Sequence, residues 1–103
     1  MSVCPPQDCR SMDEVRTEID RIDQALVDLI AERFGYVDRA WQLKDRPDEA
    51  VVPWRIQQVI DRVKKRAVEK DLPPELAEAI WRQMIGWFIQ YEEVKLNETN
   101  GKP

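Results

Sequence analysis

From Val15 to Leu43 the apolar residues recur in alternating steps of four and three: Val15, Ile19, Ile22, Leu26, Leu29, Tyr36, Ala40 and Leu43. That period is the inward stripe of a packed helix, whereas a half-buried strand repeats every second residue. One position in the series breaks the pattern. Arg33 stands where the spacing asks for another apolar side chain. A guanidinium cannot lose its proton and is costly to bury alone, so it requires a fixed anionic partner, either a side chain or a ligand.

The remainder of the chain follows the same helical logic. With 103 residues, three glycines and 43% hydrophobic residues, the composition is that of one all-α domain with three helices. Ser11 and Glu14 form a capping-box signature, so the first helix is expected from there to about residue 45. Gly35 interrupts it at a cost of about 1 kcal/mol relative to alanine without ending it. Residues 45–53 form a turn-rich connection bracketed by Pro47 and Pro53. A second helix is expected over 54–70, with Ile56, Val59, Ile60, Val63 and Ala67 inward. Pro73 and Pro74 break it and open a third over 74–97, with Leu76, Ile80, Met84, Ile85, Phe88 and Tyr91 inward. The domain therefore spans 11–97, between flexible tails at 1–10 and 98–103.

Length constrains the assembly. A helix of about 33 residues is roughly 50 Å long, against a radius of gyration near 13 Å for a compact domain of about 100 residues. Two shorter helices cannot cover such a stripe, and a homodimer with long helices packed along one another is the economical solution.

Composition also excludes function classes. The net charge of -4 provides no general drive toward nucleic acid or acidic lipid, and no basic recognition helix is present. Apolar runs are too short to span a bilayer and no leader pattern precedes them, so the cytoplasm is the expected location. The absence of histidine removes the commonest general base and the commonest metal ligand. Cys4 and Cys9 lack the second pair that a structural zinc site needs, and read as ordinary thiols or a short-loop disulfide. No phosphate loop or nucleophile elbow appears, so neither a metal nor a cofactor is expected. Chemistry would fall to Arg, Lys and carboxyl groups.

These groups can be placed along the helices. Lys44 follows Arg33 by eleven residues, nearly three whole turns, so both project from one face about 16 Å apart along the axis. Arg16 lies roughly 25 Å from Arg33 along the same helix, too far for one small ligand to bridge, so another subunit must supply it if it joins the site. Glu92 follows Phe88 by four and Ile85 by seven, which turns a carboxyl group toward the apolar side of the third helix. Each residue also has a bland reading: Arg33 in an ion pair with a partner's Asp20 or Asp23, Arg16, Lys44 and Arg55 solvated, and Glu92 half exposed. Trp41, Trp54, Trp81 and Trp87 read as packing residues.

The stretch MDEVRTEIDRIDQALVDLIAERFGYVDRAWQLK resembles the first helix of the all-helical chorismate mutase family, which includes isochorismate pyruvate lyases. The shared pattern is an Arg, the I-D-x-I-D aspartates, a leucine-rich turn, a second Arg, and a Lys eleven residues on. The resemblance implies an entwined homodimer whose sites are each completed by an Arg of the other subunit. It implies that Arg33, with Arg16 from the partner subunit, binds the substrate carboxylates, and that Lys44 reaches a carboxylate and the ether oxygen. It further implies that Arg55 is another substrate cation, that Glu92 stands beside the ether oxygen, and that residues 45–53 form a lid.

The implied reaction is the rearrangement of chorismate to prephenate in aromatic amino acid biosynthesis. An ether C–O bond breaks as a C–C bond forms, negative charge builds on oxygen, and fixed donors stabilise it. A millionfold acceleration corresponds to about 8 kcal/mol. An ionised Glu92 would repel that charge, so Glu92 assists only when protonated, and activity should fall as pH rises. Two positions depart from the mutase pattern. Ile56 stands where many family mutases carry Glu, and Phe88 where they carry a small hydroxyl residue. Both resemble the lyase branch, which eliminates pyruvate from isochorismate to leave salicylate; the Glu at 92 is not the lyases' typical Gln. Mutase is the expected activity and lyase the alternative. A non-catalytic helical dimer or effector-binding module is the third reading.

Overall fold

Proline placement punctuates the chain into three long helices. The computed structural model describes residues 3–44 and 51–100, with side chains through residue 98. A short 3-10 turn, Pro6–Asp8, precedes helices α1 (Met12–Gln42), α2 (Pro53–Glu69) and α3 (Pro74–Asn100). No strand occurs among the described residues, and the all-α expectation holds. The expected lid at 45–53 lies, for residues 45–50, outside the described residues.

Each boundary has a local cause. The Ser11 Oγ accepts the Glu14 backbone N–H at 3.1 Å, the N-cap bond that the sequence signature predicts. At the other end of α1, Leu43 and Lys44 donate to the carbonyls of Ala40 and Trp41 at 3.1 and 3.2 Å, tightening the last turn. The helix thus stops at Gln42, short of the expected end near residue 45. Pro53 and Pro74 each open a helix where the missing N–H costs nothing. After α2, Asp71 takes φ 58°, and Leu72 N–H reaches back to the Ala67 carbonyl at 2.9 Å, closing a left-handed C-cap. α3 runs to Asn100, past the expected end at residue 97.

The chain divides into two compact units, Met1–Tyr36 and Val37–Pro103. In the first, the side chains of α1 stay largely open: Ile19, Ile22, Leu26 and Leu29 are 50%, 45%, 49% and 62% exposed. The stripe that the sequence marks as inward is uncovered within one chain, and no residue of α1 is buried.

In the second unit α2 and α3 pack as a hairpin, and Lys64 pairs with Glu78 across it at 3.1 Å. Ile60 and Ala67 of α2 are buried as expected. On α3 the buried residues are Ala77, Phe88, Glu92 and Leu96. Leu76 and Ile80, expected inward, are exposed instead. The inward face passes through Ala77, Trp81, Met84 and Phe88, so Leu76 and Ile80 lie a residue out of register with it. They share an outer stripe with Trp87 and Val94. A 1% exposed side chain at Ile60 anchors this hairpin. Ile60→Ala should therefore cost about 3 kcal/mol, the usual range for a large-to-small core change that cannot collapse, read as a lower urea midpoint at unchanged slope.

Candidate active site

Glu92 is the one charged residue buried among the described residues, at 6% exposure. It lies one turn beyond Phe88 on the inward face of α3, so the packing that buries Phe88 also buries the carboxylate. A carboxyl group in that position needs a donor. Lys44, immediately past α1, supplies it: the Nζ donates to Glu92 Oε2 at 2.7 Å, with the lysine side chain 22% exposed. The sequence marks Lys44 and Glu92 separately; their pairing is a finding of the structure, and the lysine side chain stays partly open to solvent.

A closed circuit of bonds holds this pair in register. Tyr91, the neighbour of Glu92, donates its hydroxyl to Asp38 Oδ1 at 2.7 Å. The same oxygen accepts the Trp41 indole N–H at 2.6 Å. The Trp41 carbonyl in turn accepts the Lys44 backbone N–H. Trp87 stacks on Tyr91 at 5.5 Å and meets Phe88 edge-on at 5.2 Å, and Lys95 Nζ sits 5.6 Å from the Tyr91 ring centroid. Asp38 and Tyr91 escape site reasoning from sequence, because an aspartate on a charged helix and an inward tyrosine carry no distinguishing spacing. Trp41, read as a packing residue, is also a hydrogen-bond donor.

The Tyr91 hydroxyl, and after it the Trp41 indole, hold the Asp38 carboxyl below its ordinary range against the opposing effect of burial, and Lys95 adds to the lowering. A carboxyl lowered in the folded state contributes stability above its unfolded pKa and loses it as pH falls through the folded pKa. Glu18 and Glu78 are lowered likewise, chiefly by Arg21 and Arg82. Stability should therefore decline on acidification, and Asp38→Asn should remove part of that slope. Urea midpoints measured from neutral to acid pH check this; identical slopes would contradict it.

Arg55, near the start of α2, is exposed and donates to Gln58 Oε1 at 2.7 Å. Ile56 beside it is half-buried. In the first unit, Arg33 is half-buried on α1. Arg16 is exposed and 4.0 Å from Asp13 Oδ1, a loose contact that leaves its guanidinium available. No helix among the described residues is long and apolar enough to cross a membrane.

Residues 15–93 match the family described as chorismate mutase type II. Among curated proteins, an isochorismate pyruvate lyase of Pseudomonas aeruginosa is 28% identical over 96 residues, covering 93% of this chain and 95% of that protein.

Proposed function

We propose that this chain, which belongs to the chorismate mutase type II family, rearranges chorismate to prephenate. The observation that carries the reading is the Lys44–Glu92 pair: a lysine ammonium 2.7 Å from a carboxyl group at 6% exposure. With the substrate bound, the Lys44 Nζ donates to the ether oxygen as the C–O bond stretches, and Glu92, which accepts from Lys44 in the free protein, becomes a second donor to the same atom only when it is protonated. Charge on that oxygen grows toward the transition state, so these bonds strengthen along the reaction rather than in the ground state. The two carboxylates of chorismate fall to Arg33 and to Arg16 of a second copy, with Arg55 adding positive charge. Clamping both ends of the substrate lowers the entropic part of the barrier.

A second copy is part of this reading. The half-exposed Ile19, Ile22, Leu26 and Leu29 on α1 form an apolar stripe that a homodimer would cover. Light scattering at micromolar concentration should give twice the chain mass, and a monomer would remove Arg16 from the site.

Isochorismate pyruvate lyase activity is the second reading. It is favoured by Phe88, which is buried at the position where the mutase pattern carries a small hydroxyl residue, and by the relative of that name. The two reactions separate in a single assay of the purified chain with chorismate and isochorismate side by side. Prephenate from chorismate supports the mutase. Salicylate and pyruvate from isochorismate alone support the lyase, and silence with both leaves a binding module.

A further inference from the structure

The segment from Cys4 to Cys9 takes no part in the reaction proposed above, yet it is tightly built. Asp8 N–H donates to the Pro5 carbonyl at 2.9 Å and Cys9 N–H to the Pro6 carbonyl at 3.3 Å, which folds the intervening residues into the 3-10 turn. Two prolines restrict the same stretch, so little chain entropy remains to be lost on closing a ring there. Cys4 N–H donates to Glu18 Oε2 at 3.1 Å, fixing the start of the segment on the first turns of α1. The result brings the two half-buried sulfurs to 3.2 Å, with Cys4 Sγ 3.5 Å from Glu14 Oε2. Reaching a disulfide bond length from 3.2 Å takes a shift of roughly 1 Å.

We propose that Cys4 and Cys9 are a thiol modification site that closes to an intramolecular disulfide by exchange with a low-molecular-weight disulfide. The Cys9 thiolate attacks one sulfur of the small disulfide, forming a mixed disulfide and expelling the first small thiolate. Cys4 then loses its proton to water past the Glu14 carboxylate and attacks Cys9 Sγ, expelling the second. The protein gives up two protons and two electrons, and the small disulfide leaves as two thiols.

The environment sets the order of attack. Cys9 above all, then burial and Glu14, push the Cys4 thiol up to about 12. Cys4 is therefore a poor first nucleophile near neutrality. Capturing Cys9 in the mixed disulfide removes the largest cause of that elevation and frees Cys4 to resolve it. The closed ring would then end two residues before the Ser11 cap, in the segment that the Cys4–Glu18 bond holds on α1.

The test equilibrates the reduced full chain with reduced and oxidised glutathione over graded ratios, quenches with acid and an alkylating agent, and reads intact mass. Wild type should become a single-chain species two hydrogens lighter, without a glutathione adduct, while Cys4→Ser should hold one glutathione on Cys9. Closure should require a roughly tenfold more oxidising ratio in urea, where the segment is no longer organised. A stable adduct or chain-to-chain link in wild type would overturn the proposal, as would closure equally easy in urea. So would thiols that stay reduced in the oxidised mixture yet are shielded by added zinc, which would assign Cys4, Cys9 and Glu14 to a cation. Helicity by circular dichroism is the check that Cys4→Ser is folded.

Discussion

Lys44→Ala is expected to lower kcat on chorismate by roughly a hundredfold to a thousandfold, the usual cost of removing one donor from a developing oxyanion. The lysine lies beyond the last residue of α1 and is partly open to water. Its loss should leave the helices in place, with helicity by circular dichroism as the control. The affected step is chemistry, so the effect should fall mainly on kcat rather than on KM. Glu92 would lose the donor 2.7 Å away and keep its burial, which makes Lys44→Ala a larger perturbation than a solvated lysine would give. Unchanged initial rates in a folded variant would remove Lys44 from the site.

The second large effect is expected at Glu92. The proposed role demands a protonated carboxyl group beside the ether oxygen, so wild-type kcat should fall about tenfold per pH unit on the alkaline limb. Glu92→Gln replaces the titrating donor with an amide N–H that does not titrate in this range. Its profile should be flat across the same limb. Glutamine preserves the shape of the side chain and still offers an oxygen to Lys44, so the contrast is one of protonation rather than packing. Parallel profiles for the two proteins would show that Glu92 acts only by orienting Lys44. A flat wild-type profile would show that no titrating group limits the reaction.

The two results bear on different parts of the reading. Lys44 tests whether a cation faces the breaking bond, and that holds for rearrangement and elimination alike. Ile56 and Phe88 concern which substrate ring fits, and the paired-substrate assay decides that point independently of either variant.

Much of the architecture follows from local rules. Ser11 capping, the prolines at 53 and 74, and the four-three period each act within a few residues, and the corresponding helix starts stand where those rules place them. The inward carboxyl group at 92 was legible because a charge in an apolar register is conspicuous. Its partner was legible only as a residue on the right face of a helix, since a contact spanning 48 positions leaves no trace in local spacing. Leu76 and Ile80 show the opposite failure. Both fit an amphipathic pattern, yet α3 has two apolar stripes, and periodicity does not say which one faces α2.

Sequence periodicity and capping suffice to specify three helices, because backbone hydrogen bonds and side-chain burial in a helix are settled over one or two turns. They also single out Arg33 and Glu92 as polar residues in apolar registers. Three-dimensional packing alone joins Lys44 to Glu92 and routes the Tyr91–Asp38–Trp41 bonds around them. The approach of Cys9 to Cys4 is more local: the 3-10 turn between them brings the sulfurs together, and the Cys4 N–H bond to Glu18 reaches beyond it. The Lys44–Glu92 and Tyr91–Asp38 contacts join residues 48 and 53 positions apart, a separation that no window of neighbouring residues contains.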